Sequence, residues 1–278
     1  MAVGIAIIGA GHMGRHHALK VAQLRNGGGV RFCGIADPDL ERARCLAAET
    51  GTRAVASGRE LYASADAAIV AVPTVEHFGA VHAALDAGLD VLVEKPVAAS
   101  IAQAELLLGL ARRTGRVFQV GSQEWFNPAL RAIRPKIQRP LFVESHRVGP
   151  FSERGLDVDV VRDLMIHDLD ILQKLLGEEP ARVEATGVPV VTDKIDIANA
   201  RIAFPSGCVA NLTASRVSVK PLRKLRCFQR DGQFAIDFLR AGFTGGAMFW
   251  GWMLFLSFFM GYFLLEIGYS ILFDRVYA

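Results

Sequence analysis

The first part of the chain alternates two textures. Residues 3–8, 30–36, 67–72, 90–93 and 117–120 are short runs rich in Val, Ile and Ala. Continuous apolar runs of that length predict strands buried on both faces. Between them, residues 14–24, 40–49, 76–87 and 101–114 place apolar side chains at helical spacing. Strand and helix in alternation predict a parallel sheet covered by helices on both sides.

Beyond Pro140 the pattern changes. Residues 141–147, 181–191, 195–204, 208–215 and 222–229 are longer strand-like runs divided by Gly, Pro and Asp turns, and 234–238 reads as one more. A single helix over 160–176 interrupts them and stops at Gly177, a natural C-terminal residue. Strands in series predict an α+β domain with a mostly antiparallel sheet. From 241 to 273 almost every residue is apolar or small, with Glu266 the single charge. That predicts an apolar helical tail longer than the roughly 20 residues that span a bilayer. The expected organisation is therefore 1–123, a nucleotide-binding domain; 124–240, a substrate domain of shortened length; and 241–278, the tail.

Composition narrows the function classes. Charged residues make up 21% of 278, with a net charge of +3 and no long basic run, so nucleic acid is not an expected partner. The cysteines Cys33, Cys45, Cys208 and Cys227 form no CxxC pair and have no histidines at zinc spacing. His16 and His17 are adjacent, and adjacent helical residues diverge by about 100°, so they make no metal pair. Neither a metal site nor a disulfide framework is expected, and reduced thiols fit a cytoplasmic protein. The N-terminus lacks a basic region and reads as a first strand, not as a signal peptide.

Gly9, Ala10, Gly11, His12, Met13 and Gly14 directly follow the first strand and open a helix. In this context a GxGxxG turn predicts a Rossmann dinucleotide site. The first glycine allows the sharp turn, the second admits a pyrophosphate, and the third lets helix and strand pack closely. The phosphates would lie at the helix N-terminus, where unpaired amides and the helix dipole favour anions. Asp37, ending the second strand, would accept hydrogen bonds from the ribose hydroxyls and repel a 2′-phosphate, favouring NAD over NADP. Its plainer role, starting the turn before the next helix, is compatible with that.

Two further motifs carry a family resemblance. Val72, Pro73, Thr74, Val75, Glu76 and His77 come at the end of the third run, 67–72, and Val93, Glu94, Lys95 and Pro96 at the end of the next, 90–93. In this order behind the glycine turn they resemble the Gfo/Idh/MocA oxidoreductases. The segments 121–128 and 163–168 resemble that family's entry to the substrate domain and its catalytic helix. A narrower likeness within the family, to bacterial UDP-N-acetylglucosamine 3-dehydrogenases, rests on 124–128, 144–147, 157–161 and 167–170. The resemblance implies Pro73, Thr74, His77, Glu94 and Lys95 beside the cofactor, together with His12 and Met13 of the turn. It implies hydride transfer from a secondary hydroxyl of a sugar or sugar nucleotide, with C3 of UDP-N-acetylglucosamine as substrate position.

Oxidising such a hydroxyl also requires a proton acceptor. Lys95, at a strand end, can hydrogen-bond the reacting oxygen and stabilise negative charge on it. His167 can take the proton, since an ordinary imidazole titrates near pH 6.5. Asp163, four residues earlier on the same helix face, can orient that imidazole or bind a substrate hydroxyl. Asp168 points elsewhere and reads as structural. Asn127 and Arg147 are candidate substrate contacts, Arg147 through a diphosphate. Each has a plainer reading as a core or surface group.

The tail has no counterpart in the family. It reads as a membrane anchor, as an end foreign to the enzyme, or as a buried helix pair in a homo-oligomer interface. A cytoplasmic enzyme attached to the inner face of a membrane is one outcome. A catalytically impaired, membrane-tethered dinucleotide-binding protein is another, and a free polyol or inositol dehydrogenase is a third.

Overall fold

In the computed structural model, residues 2–152, 158–240 and 242–247 are described. Chain contacts divide into two units, one ending at Ser122 and one beginning at Gln123.

The first unit is a six-stranded parallel sheet in the order β3-β2-β1-β4-β5-β6. Its strands are β1 (Val3–Ile8), β2 (Val30–Ala36), β3 (Ala54–Val55), β4 (Ala67–Val70), β5 (Asp90–Val93) and β6 (Phe118–Val120). The connecting helices are α1 (His12–Arg25), α2 (Leu40–Thr50), α3 (Arg59–Tyr62), α4 (Thr74–Asp86) and α5 (Ile101–Thr114). β3 and α3 are too short to leave a periodic signature. Local chemistry sets the helix ends. Asp39 and Ser100 accept hydrogen bonds from the Arg42 and Gln103 amides at the starts of α2 and α5. Gly51 and Gly115 close the same helices in the left-handed conformation, which glycine adopts without a Cβ clash. Apolar clusters lie on both faces of the sheet: Ile7, Ile35 and Val21 on one, Val70, Val91 and Leu107 on the other.

The second unit holds α6 (Pro128–Ile133), β7 (Phe142–Val148), α7 (Ile166–Leu176), β8 (Arg182–Val188), β9 (Ile197–Ala203), β10 (Val209–Ser215), β11 (Leu222–Gln229), β12 (Gly232–Asp237) and β13 (Gly242–Ala247). They form a seven-stranded sheet in the order β13-β12-β11-β7-β10-β9-β8. Only the β7–β10 pair is parallel. Alternate residues of these strands, among them Ala200, Leu212, Leu225 and Ile236, pack with Leu130, Ile133, Ile171 and Leu172. The opposite face is polar, with Asn199 bonded to Thr213, Arg201 to Asn211 and Arg226 to Glu144.

Two expectations change. The helix expected over 160–176 is not uniformly α: Val161–Met165 is a π-helical turn, and α7 continues from Ile166 to its left-handed cap at Gly177. The tail expected to be helical from 241 begins instead as β13, antiparallel to β12. Apolar length suggests a helix there. Gly242, Gly245 and Gly246, however, disfavour one, and a Cβ on Gly245 would press on Phe234. Among the described residues no helix is long and apolar enough to cross a membrane. The remainder of the expected tail, 248–278, lies outside the described residues, as does Asp157.

Asp196 anchors the turn between β8 and β9. Its buried carboxylate accepts from the amides of Val190, Val191 and Thr192 and from the Thr192 hydroxyl. Burial alone pushes the carboxyl up, but the donations from Val190, Thr192 and Val191 outweigh it and hold the group well below the usual carboxylate range. A depressed folded value contributes stability above the unfolded pKa of about 3.9, and that contribution is lost as pH falls through the folded value. Asp196→Asn should therefore lower Tm at pH 7 and flatten the acid limb of the Tm–pH curve below about pH 4. An acid limb identical to that of the wild type would contradict this account.

Candidate active site

All six strands of the first sheet run the same way, so the turns after β1, β2, β4 and β5 gather along one edge. Strand order reverses between β1 and β4, and that switch point is where open α/β sheets hold ligands. Gly9 stands there with φ of +104°. A Cβ on Gly9 would overlap the Ala71 carbonyl, and one on Gly14 would overlap the Gly9 carbonyl. A Cβ on Gly11 would meet nothing within 4 Å. The first and third glycines are thus demanded by the protein's own packing, while the second leaves open space at the start of α1. That is the arrangement a dinucleotide pyrophosphate requires. His12 and Met13 form the first turn of α1, His12 exposed and edge-on to His16.

Asp37 is buried at the end of β2. It accepts the Ala10 amide at 2.7 Å and the Asp39 amide at 2.9 Å. A carboxylate has about four acceptor positions, so these bonds orient it and leave capacity for ribose hydroxyls. Arg42 binds Asp39 at 3.1 Å and comes within 3.8 Å of Asp37.

Pro73 caps α4 and Thr74 is its first residue. His77 was expected beside the cofactor, but the structure gives its ring another use. It is 1% exposed, with Nδ1 at 2.7 Å from the Pro96 carbonyl and Nε2 at 3.0 Å from the Val72 carbonyl. Glu94 is also buried, its Oε1 at 2.7 Å from His17 Nε2. Lys95 comes next, half-buried and joined to Pro96 by a cis peptide bond. His17 carries no function in the sequence reading. Its link to Glu94, 77 residues away, leaves no local signal.

In the second unit, Asp163 lies in the π-helical turn and His167 in the first turn of α7, both half-buried. Asp170 binds Lys174 at 2.8 Å. Asn127 caps α6, accepting the Ala129 amide at 3.0 Å.

Arg147 is buried within the second unit. It was expected at a substrate diphosphate, yet it is 1% exposed. Its Nε and Nη2 meet Asp168 at 3.1 and 3.0 Å, and Nη1 meets Glu124 at 2.8 Å. Phe238 lies under the guanidinium at 5.2 Å. Burial opposes the charge, but Asp168 and Glu124 hold Arg147 protonated above its usual value. Each of the three guanidinium nitrogens has a carboxylate partner, and α7 is tied to β7 next to His167.

Similarity to known proteins bears on the same residues. A family model for the oxidoreductase family with an NAD-binding Rossmann fold matches residues 3–122. A Gfo/Idh/MocA C-terminal-domain model matches 138–235. The chain belongs to the Gfo/Idh/MocA family. It is 41% identical over 234 residues to the UDP-N-acetylglucosamine 3-dehydrogenase of Acidithiobacillus ferrooxidans, covering 84% of this chain and 73% of that one. A crystal structure of that enzyme superposes with a TM-score of 0.83 at 39% identity, over 88% of this chain and 80% of the other. A myo-inositol dehydrogenase of Streptomyces leeuwenhoekii is 31% identical over 229 residues, covering 76% of this chain and 69% of its own. As a Gfo/Idh/MocA protein the chain is an oxidoreductase of CH–OH groups with NAD as cofactor.

These geometries make two predictions. Asp37→Ala should weaken NAD binding by about tenfold and narrow the ratio of NAD to NADP affinity, read by calorimetric titration; an unchanged ratio would count against the ribose role. Truncating one member of the Arg147–Asp168 pair should cost about 3–5 kcal/mol, and the double variant Arg147→Met, Asp168→Leu less than the sum of the singles. Additive losses in denaturant melts would show that the charges are not coupled.

Proposed function

We propose that this protein oxidises a secondary hydroxyl of a sugar nucleotide, with C3 of UDP-N-acetylglucosamine as the substrate position. The observation that carries the reading is the 41% identity to an enzyme of that name over 84% of the chain, more than the nucleotide-binding unit alone can supply. The likeness to the inositol dehydrogenase is weaker in both identity and coverage.

In this reading the glycine cradle would hold NAD, which would supply a hydride acceptor for the substrate carbon. The chain's own groups handle the oxygen. Lys95 donates a hydrogen bond to the hydroxyl oxygen and stabilises negative charge on it. His167 takes the hydroxyl proton, so that the C–H and O–H bonds are lost together and a ketone remains. Asp163 orients that imidazole or holds a neighbouring hydroxyl. Gly9, Gly11 and Gly14 form the phosphate cradle, Asp37 binds the adenosine ribose, and Asn127 contacts the sugar nucleotide.

The test is NADH formation at 340 nm with UDP-N-acetylglucosamine, free N-acetylglucosamine and myo-inositol compared side by side. The nucleotide-linked sugar should give the highest kcat/KM. Lys95→Met and His167→Asn should each lower kcat by about 10² to 10⁴ while NAD binding persists, as removal of an electrostatic or acid–base group does. Full turnover in both variants would remove the assigned roles, and a preference for inositol would replace the substrate.

A further inference from the structure

Lys95 stands between two residues that are each engaged by an imidazole, and the imidazoles come from different helices. On its N-terminal side, the Glu94 carboxylate meets Nε2 of His17 on α1 at 2.7 Å. On its C-terminal side, the Pro96 carbonyl lies 2.7 Å from Nδ1 of His77 on α4. The other nitrogen of that ring reaches the Val72 carbonyl after β4 at 3.0 Å. From these contacts we infer that His17 and His77 are positioning residues that together fix where the Lys95 amine stands.

The need for such a brace comes from the backbone. The Glu94 amide still donates to the Val70 carbonyl, but β5 ends at Val93. Lys95 therefore lies just past the regular ladder. Its side chain carries about 2 kcal/mol of rotamer entropy, so a loose backbone would leave the amine poorly placed. A flat, buried imidazole lies between the carbonyls at the end of β4 and just past β5, and donates to one of them from whichever ring nitrogen carries the proton. Gly121 leaves the Glu94 carboxylate its room, since a Cβ there would lie only 3.1 Å from Oε1. Glu94 and His17 are 8% and 18% exposed, and hydrogen bonds shielded from water in this way hold geometry more firmly. Because α1 begins at the glycine cradle, the brace also connects the phosphate end of the site to the amine.

The catalytic part of this inference rests on the role proposed for Lys95; the placement part does not. Two readouts keep them apart. One is the rate of amine labelling of Lys95, relative to exposed Lys20, mapped by mass spectrometry. The other is kcat against KM for NAD, taken with NAD affinity and Tm. His17→Leu and His77→Leu should each change the relative labelling of Lys95 by about threefold or more, as expected when a supporting shell is lost. They should lower kcat by about tenfold to a hundredfold, with NAD affinity nearly unchanged. His17→Gln and His77→Gln keep an N–H donor and should recover most of the loss. Should the leucine variants fail to fold, the glutamine variants and Gly121→Ala, which presses on the Glu94 carboxylate, decide instead; Gly121→Ala should shift labelling in the same direction. Wild-type labelling and kcat in the variants that fold would overturn the inference. So would losses of kcat, NAD affinity and Tm in parallel with no rescue by glutamine. A wild-type protein that reduces NAD with no sugar would sink the proposed function, while the labelling ratio would still judge the brace.

Discussion

The nucleotide-binding unit depends on a turn in which no side chain fits. At Gly9 the backbone takes a positive φ, and a Cβ would run into the Ala71 carbonyl. At Gly14 a Cβ would run into the Gly9 carbonyl itself. These contacts bring β1, the start of α1 and the end of β4 into one another's van der Waals reach. Any larger residue would part the strand from its helix. The open space at Gly11 exists because its two neighbours in the motif are packed tight. Room for a cofactor is here a by-product of close backbone packing.

The second unit solves a different problem, which is how to hold α7 on a sheet through a charged core. Arg147, Asp168 and Glu124 form a buried group whose desolvation is costly. Apolar side chains of similar volume could fill the same space. What the ionic arrangement adds is direction: a bidentate fork accepts one orientation of Asp168, and with it one rotation of α7. The π-helical turn at Val161–Met165 adjoins this helix. Such turns shift the phase of the helical residues after them and cluster at functional positions. Between the fork and the π turn, the rotation of α7 around its axis is determined from both sides.

How far the sequence could be read depended on how local each signal is. The parallel and antiparallel sheets were legible because apolar period and turn residues are properties of neighbouring positions. The glycine turn was legible for the same reason. β3 and α3 escaped because two and four residues are too few to show a period. The partners of Arg147 were not legible because an arginine looks the same whether it faces phosphate or carboxylate; only the fold brings Glu124 and Asp168 to it. His77 was placed beside the cofactor by its motif, and what the motif could not tell was that both ring nitrogens face carbonyls. β13 was misread because apolar length was weighed and the glycines within it were not.

His77 and Arg147 were both expected at a ligand, and both hold buried partners within the protein. His77 lies one turn into α4 from Thr74, and Arg147 is fastened to the residue after His167. In each case the residue is buried and holds partners within the protein, whereas the groups proposed to meet substrate, Lys95 and His167, are only half-buried. That division has a physical basis. A group that exchanges partners during turnover needs access to its ligand, so its precision must come from neighbours that never exchange theirs. Family motifs preserve both kinds of residue at fixed spacing, which is why a motif alone does not separate them. Burial and the partners that each side chain already holds do.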